Sequence, residues 1–312
     1  MTNLQWTWAG QTIPESLRGE LTDSTELLQN KESLRQRLQR DGYVFVRNLV
    51  PEDEIVAARN EVFGRLEEVG EIQSPAGEGL ATGISRRPEL YADLGQFWQS
   101  VSEGERLRQV THGAVIRSHV ATLLGEEARP HDYMWLRPWP VGRSTGLHYD
   151  HPFFSVGSQR VHTVWVPLGD VPIEEGPLAV VENSHRFQDL IKPMKEEEVD
   201  ATMDPDKAQA AAYQTDATGD PIRFVSDRQS RFLSTHFHIG DVIVFSMNTM
   251  HGSLDNNSPV GRVRLSCDVR YQPAADDTDP RYFGENPIGA QGGGYGEMKG
   301  AVPLGTIQMT GD

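Results

Sequence analysis

Residues 162–182 read HTVWVPLGDVPIEEGPLAVVE, two short apolar and β-branched runs divided by turn-forming Gly, Asp and Pro. Runs of this length with this punctuation are strand signals. The same rhythm recurs in YMWLRPW (133–139), GDVIVFS (240–246) and VRLSCDVRY (263–271). Few helical patterns intervene, so the stretch from Tyr133 to Tyr271 predicts an antiparallel sandwich or barrel.

Outward from that core the character changes. Residues 26–40 (ELLQNKESLRQRLQR) carry leucines at helical spacing, and GYVFV (42–46) reads as a strand. Pro51 opens a run with acids in its first turn, a helix start, and a further helix is expected over Glu103–Leu124. The first third, 1–132, is therefore expected to be mostly helical, ahead of a β core over 133–272. Within that core, residues 190–229 break the rhythm. MKEEEVDATMDPDKAQAAAYQTDATGDP (194–221) is charged, alanine-rich and weakly patterned, an expected insertion of the kind that forms lids. The tail, 273–312, carries GENPIGAQGGGYGEMKG (284–300) and is expected to be irregular. The length fits a single domain over 1–312, because all-β units commonly reach about 200–250 residues.

Composition narrows the function. With 29 basic and 45 acidic residues the formal net charge is -16, which argues against nucleic acid as partner. It also mildly disfavours a polyanionic substrate, although a local basic pocket could override the global field. The one cysteine, Cys267, cannot form an intramolecular disulfide and is expected as a buried structural thiol. No window approaches 18 uninterrupted apolar residues, so no membrane span is expected. The opening MTNLQWTWAG lacks the basic and long apolar regions of a signal peptide, which makes a cytoplasmic location the default expectation.

The chemistry concentrates in GLHYDH (146–151). His148 and Asp150 stand two residues apart, a spacing that puts both side chains on one face of an extended segment. Far downstream, GDVIVFSMNTMHGS ends an expected strand with His251. Two histidines and one carboxylate, with the opposite face left open, make the ligand set of non-heme iron(II) oxygenases. An isolated H-x-D is a weak signal, since such pairs also occur on surfaces near turns; its weight comes from the company it keeps.

That company resembles the phytanoyl-CoA dioxygenase family. GLHYDH is similar to the family's metal motif, RDGYVFVRNLVPEDEI (40–55) to its opening strand and helix, and VWVPLGDVPIEEGPLAVVENSHRF (164–187) to its following strand, acidic turn, Gly-Pro-Leu and Ser-His. The resemblance covers roughly residues 40–272. It implies a double-stranded β-helix of the jelly-roll or cupin-like kind, Fe(2+) at His148, Asp150 and His251, and 2-oxoglutarate and O2 as co-substrates. It also implies hydroxylation of a small-molecule metabolite with release of succinate and CO2. On its eleven-residue spacing from His251, the resemblance assigns the distal carboxylate of 2-oxoglutarate to Arg262, assisted by Ser253. Such a guanidinium would pair with that carboxylate through two charge-assisted hydrogen bonds. Arg264, in the same strand parity, is the rival or a substrate contact, and Arg270 is expected to be structural. Thr163 and Trp165, on the strand after the motif, are placed in the co-substrate pocket by position in the family.

Other histidines have blander explanations. His236 and His238 could form a cupin-type pair but lack a downstream partner, and His185 fits a structural position. His151 would face away from Asp150 in an ideal strand, unless the strand ends there. Trp135, Arg137 and Trp139 alternate on one face, which reads first as an aromatic core stripe. Two other functional classes fit less of the pattern: a non-catalytic jelly-roll binding protein, and a zinc hydrolase or isomerase using the same triad.

Overall fold

The computed structural model describes residues 5–196, 205–213 and 219–305. Its centre is a pair of five-stranded sheets. In chain order the strands are β1 (Thr7–Trp8), β2 (Gln11–Thr12), β3 (Arg18–Glu20), β4 (Tyr43–Val46), β5 (Ala128–Trp139) and β6 (Thr145–His148). They continue with β7 (His162–Pro167), β8 (Leu178–Val181), β9 (Phe232–Ser234), β10 (Val242–Ser246), β11 (His251–Ser253) and β12 (Arg264–Pro273). One sheet runs β4-β10-β7-β12-β5 and the other β3-β9-β8-β11-β6. From β5 onward the chain passes back and forth between the two, as in a jelly roll, except that β8 and β9 are neighbours in the second sheet, and every strand pairing but that of β3 with β9 is antiparallel. The sheet-rich fold with flanking helices matches the sequence expectation. The N-terminal region is less purely helical than expected, because β1, β2 and β3 form there besides the expected strand β4.

The period-two alternation of each strand sorts residues between two cores. On the first sheet, Val44, Val46, Val164, Val166, Val242, Val244, Cys267 and Val269 pack outward under the helices Glu52–Glu68, Leu94–Ser102 and Ala114–Leu124. Tyr43, Phe45, Trp165, Ile243 and Phe245 point inward and meet Leu178, Val180 and Leu233 of the second sheet. The β12 strand breaks the usual rule. Its apolar Leu265, Cys267 and Val269 face the helices, so Arg264, Ser266, Asp268 and Arg270 are forced into the barrel interior, all 4% exposed or less. Charged groups tolerate such burial only when paired or when a ligand completes them. Cys267 is the structural thiol expected, fully buried with its pKa pushed up by burial.

The helices follow their sequence signals with two corrections. The helix expected over 26–40 occupies Lys31–Asp41, capped by Asn30 and ended by Gly42 at φ +79. A side chain at Gly42 would also meet the ring of His185 at 2.5 Å. The helix expected over Glu103–Leu124 is two helices, Glu105–His112 and Ala114–Leu124. Gly113 breaks it: its backbone turns so sharply that a Cβ there would lie 2.0 Å from the Gln109 carbonyl oxygen. Periodicity cannot register such a break, because both halves keep their apolar faces. Of the expected insertion, the helices Gln188–Glu196, Pro205–Tyr213 and Pro221–Asp227 are formed. The remainder of it, and the end of the tail, lie outside the described residues. Among the described residues no helix is long and apolar enough to cross a membrane.

Candidate metal centre and its cavity

Strands β6 and β11 are neighbours in register, with His148 directly opposite His251. The two imidazoles therefore stand side by side, their ring centres 4.3 Å apart. Strand β6 ends at His148, and Asp150 sits in the turn that starts the short helix His151–Phe154. So the carboxylate arrives from a turn rather than from a continuous strand, as the two-residue spacing alone had suggested. All three side chains are buried, and their nitrogen and oxygen atoms lie within 4.8 Å of one another. Among the described residues this is the one such cluster of three metal-binding groups.

The surroundings prepare each group to donate to a cation. His148 Nδ1 donates to the Gly146 carbonyl at 2.9 Å, and His251 Nδ1 to the Thr249 carbonyl at 3.0 Å. Each bond fixes the tautomer that leaves Nε2 free, the arrangement found behind ligating histidines. Those Nε2 atoms lie 3.6 Å and 4.0 Å from the two Asp150 oxygens. Burial, reinforced by His148, pushes the His251 pKa down to about 3, so its ring is neutral. Burial opposes ionisation of Asp150, but Arg270 and the two histidines outweigh it and hold the carboxyl well below the usual range.

Asp150 is held from behind. Thr163 on β7 donates to its Oδ2 at 2.5 Å, and Arg270 on β12 donates to both oxygens at 3.1 and 3.0 Å. The Arg270 guanidinium lies over the rings of Trp135 and Phe154, 4.4 and 4.6 Å from their centres. Thus Arg270, which reads as structural in the sequence, touches the triad directly. Its signal was present: R-x-S-x-D-x-R in β12 repeats polar residues at period two inside an otherwise apolar strand. Contacts that orient a ligand typically matter about 10- to 100-fold in metal affinity. Thr163→Val should therefore weaken Fe(II) binding about tenfold, read by titration of the metal-free protein. An unchanged affinity would mean that Arg270 alone fixes Asp150.

The candidate arginines are placed very differently. Arg262 precedes β12, is about half exposed and pairs with Glu175 at 2.7 Å. Arg264 is 2% exposed, inside the barrel. It donates to Ser266 Oγ at 2.5 Å and to Ser253 Oγ at 3.3 Å, while Ser253 lies two residues beyond His251 on β11. Trp165 lies under the same guanidinium, 6.0 Å away. No carboxylate of the described residues comes within ion-pair distance of Arg264, and its Nε has no hydrogen-bond partner. Burial, with the Arg137 charge added, pushes its pKa down to about 9. An uncompensated buried cation costs the fold stability, and a second anionic group is the natural relief.

A cavity of about 200 Å³ opens beside the triad, bounded by Trp135, Arg137, Phe153, Phe154, Tyr213 and Lys299 among others. Tyr213, at the end of the helix Pro205–Tyr213, stacks on the His148 ring at 5.2 Å. Both the insertion and the glycine-rich tail thus supply cavity wall. Trp135 and Arg137 line it rather than forming a purely aromatic core stripe, whereas Trp139 is buried opposite Arg264. The remaining histidines stand apart. His236 Nδ1 accepts from the Ile173 amide, His238 lies at the surface near Asp170, and His185 packs on Gly42. His151 is buried with both ring nitrogens unpartnered and is not among the cavity residues.

A family model described as phytanoyl-CoA dioxygenase matches residues 38–263. Among solved structures, the chain is similar to the non-heme alpha ketoglutarate dependent carbocyclase SnoK from nogalamycin biosynthesis. Identity there is 22%, the TM-score is 0.51, and 85% of this chain and 89% of that chain are covered. The epimerase SnoN, in complex with Fe3+, alpha ketoglutarate and nogalamycin RO, is 20% identical with a TM-score of 0.52 over 81% and 86%. EctD from S. alaskensis, in its apoform, is 17% identical with a TM-score of 0.51 over 88% and 87%. At these identities the structures speak for a shared fold.

Proposed function

The chain belongs to the phytanoyl-CoA dioxygenase family, and from that premise we propose which residues carry its iron(II)- and 2-oxoglutarate-dependent oxidation and what it acts on. His148 and His251, each with its Nε2 left free, and the ionised Asp150 would hold the iron. Arg264, with Ser253 and Ser266 at its side, holds the distal carboxylate of 2-oxoglutarate; Arg262 holds Glu175 instead. The substrate is a small molecule in the cavity lined by Trp135, Phe153 and Tyr213, and the reaction is its hydroxylation, with succinate and CO2 as co-products. The single observation that carries this reading is the buried guanidinium of Arg264, with no carboxylate of the described residues within ion-pair distance, set beside β11, the strand that begins with the triad histidine His251.

The donor set fits iron(II), because two imidazoles of fixed tautomer and one ionised carboxylate leave the opposite side free. When bound there, the metal would supply activation of O2 coupled to oxidative decarboxylation of 2-oxoglutarate. The protein's own share is positional. Thr163 and Arg270 keep Asp150 ionised and aimed, and the Gly146 and Thr249 carbonyls hold the imidazoles. Trp165, below Arg264, walls the co-substrate end. Trp135 and Phe154 keep water from Arg270 and Asp150, which strengthens their pairing.

The test is a mass balance. With Fe(II), 2-oxoglutarate and air, the purified protein should release succinate, and omission of iron should stop it. Intact 2-oxoglutarate after prolonged incubation, with iron shown to be bound, would move the protein to the class of jelly-roll binding modules.

A further inference from the structure

The wall of the substrate cavity carries more positive charge than the oxidation needs. Most of its charged residues are matched. Arg270 pairs with Asp150, and Arg137 with Asp268. Glu297 accepts from Tyr133 Oη at 3.3 Å and from the Gln291 amide at 2.7 Å. The ammonium of Lys299, an exposed residue also in the wall, has no ion-pair or hydrogen-bonding partner among the described residues. One unmatched cation, with the Arg137 guanidinium in the same wall, thus stands at the cavity of a protein whose net charge is -16. The same wall carries hydrocarbon: Trp135, Phe153, Phe154 and Met298.

We propose that the substrate is a compact carboxylic acid, anchored by its carboxylate on Lys299 with Arg137 in the same wall, its hydrocarbon part lying against Trp135, Phe153 and Phe154 beside the triad. This rests on the reading of the cavity as the substrate site of an oxygenase. The size agrees: about 200 Å³ is room for about seven waters at about 30 Å³ each. The acidic exterior does not forbid it, since charges beyond a Debye length of about 8 Å are largely screened while Lys299 acts in contact. An amide of the same shape would leave the Lys299 ammonium without an anion, so the discrimination falls on charge rather than on shape.

The experiment uses the metal-free full chain and matched acid–amide pairs: benzoate, phenylacetate, 3-phenylpropanoate, cyclohexanecarboxylate and hexanoate, each against its primary amide. Binding is read from quenching of tryptophan fluorescence, to which Trp135 contributes from the wall. At least one acid should bind about tenfold or more tighter than its amide, a discrimination of the size a close charge pair provides. Lys299→Met should erase the preference at an unchanged thermal midpoint, Lys299→Arg should retain most of it, and Arg264→Met should leave it intact. Equal binding of acid and amide throughout the panel, or no binding of any acid, overturns the proposal. So does a preference that survives Lys299→Met, or one that vanishes with Arg264→Met, which would place the acid in the co-substrate site. A preference that behaves as expected in a protein that never turns over 2-oxoglutarate would overturn the oxygenase reading and leave the anion site standing.

Discussion

Replacing Arg264 with methionine should weaken 2-oxoglutarate binding to the Mn(II)-loaded protein by about 3–5 kcal/mol, roughly 150- to 4,000-fold. Manganese is chosen because it leaves the co-substrate intact during calorimetry. The size follows from burial: at 2% exposure no water can replace the lost guanidinium, and the co-substrate's carboxylate would be left unpaired inside the barrel. Arg262→Ala is the control. Its guanidinium is about half exposed and already committed to Glu175, so its removal should change the affinity less than about threefold. Stability should move the other way from affinity. Methionine keeps most of the volume and removes a buried cation that lacks a protein anion, so Arg264→Met should unfold at the same urea concentration as the parent or a higher one. Strong loss in Arg262→Ala, with little in Arg264→Met, would reverse the assignment.

His251→Ala and Asp150→Asn should both abolish measurable Fe(II) binding, with losses beyond the about 10- to 100-fold expected for a supporting contact such as Thr163. They should differ in stability. His251 is neutral in the metal-free protein, and its removal opens space without stranding a charge. Asp150 neutralises Arg270, which lies over the rings of Trp135 and Phe154 with Asp268 as its nearest other anion at 3.9 Å. Asp150→Asn should therefore cost about 3 kcal/mol in urea unfolding of the metal-free protein, the price of leaving one member of a buried pair uncompensated. Equal stability of Asp150→Asn and the parent would show that Arg270 does not depend on Asp150.

The triad and the sheets were legible in the sequence because they rest on local rules. GLHYDH places two of its metal-binding groups close in sequence, and short apolar or β-branched runs define β4, β7, β8 and β10. The arginine was harder, for a reason visible at Gly261. That glycine (φ +80) and the Asn256 side chain, which donates to the Trp139 and Arg262 carbonyls, build a turn that delays entry into β12 until Arg264. A spacing counted from His251 does not see the length of a turn. Parity within the strand does: Arg264, Ser266, Asp268 and Arg270 share one face, and that face is the interior. Tyr213 and Lys299 were beyond reach, since each comes to the cavity from a segment whose own pattern says nothing of what it will cover.

Anaerobic titration of the Fe(II)-loaded protein with 2-oxoglutarate bears most directly on the pairing of triad and guanidinium. A weak visible charge-transfer band from the iron-bound keto acid should grow and saturate in the parent protein and stay absent in His251→Ala. In Arg264→Met it should be reached only at concentrations higher by about two orders of magnitude or more. A parent protein with iron bound and no band at saturating 2-oxoglutarate would contradict the assignment, as would a band of undiminished affinity in Arg264→Met.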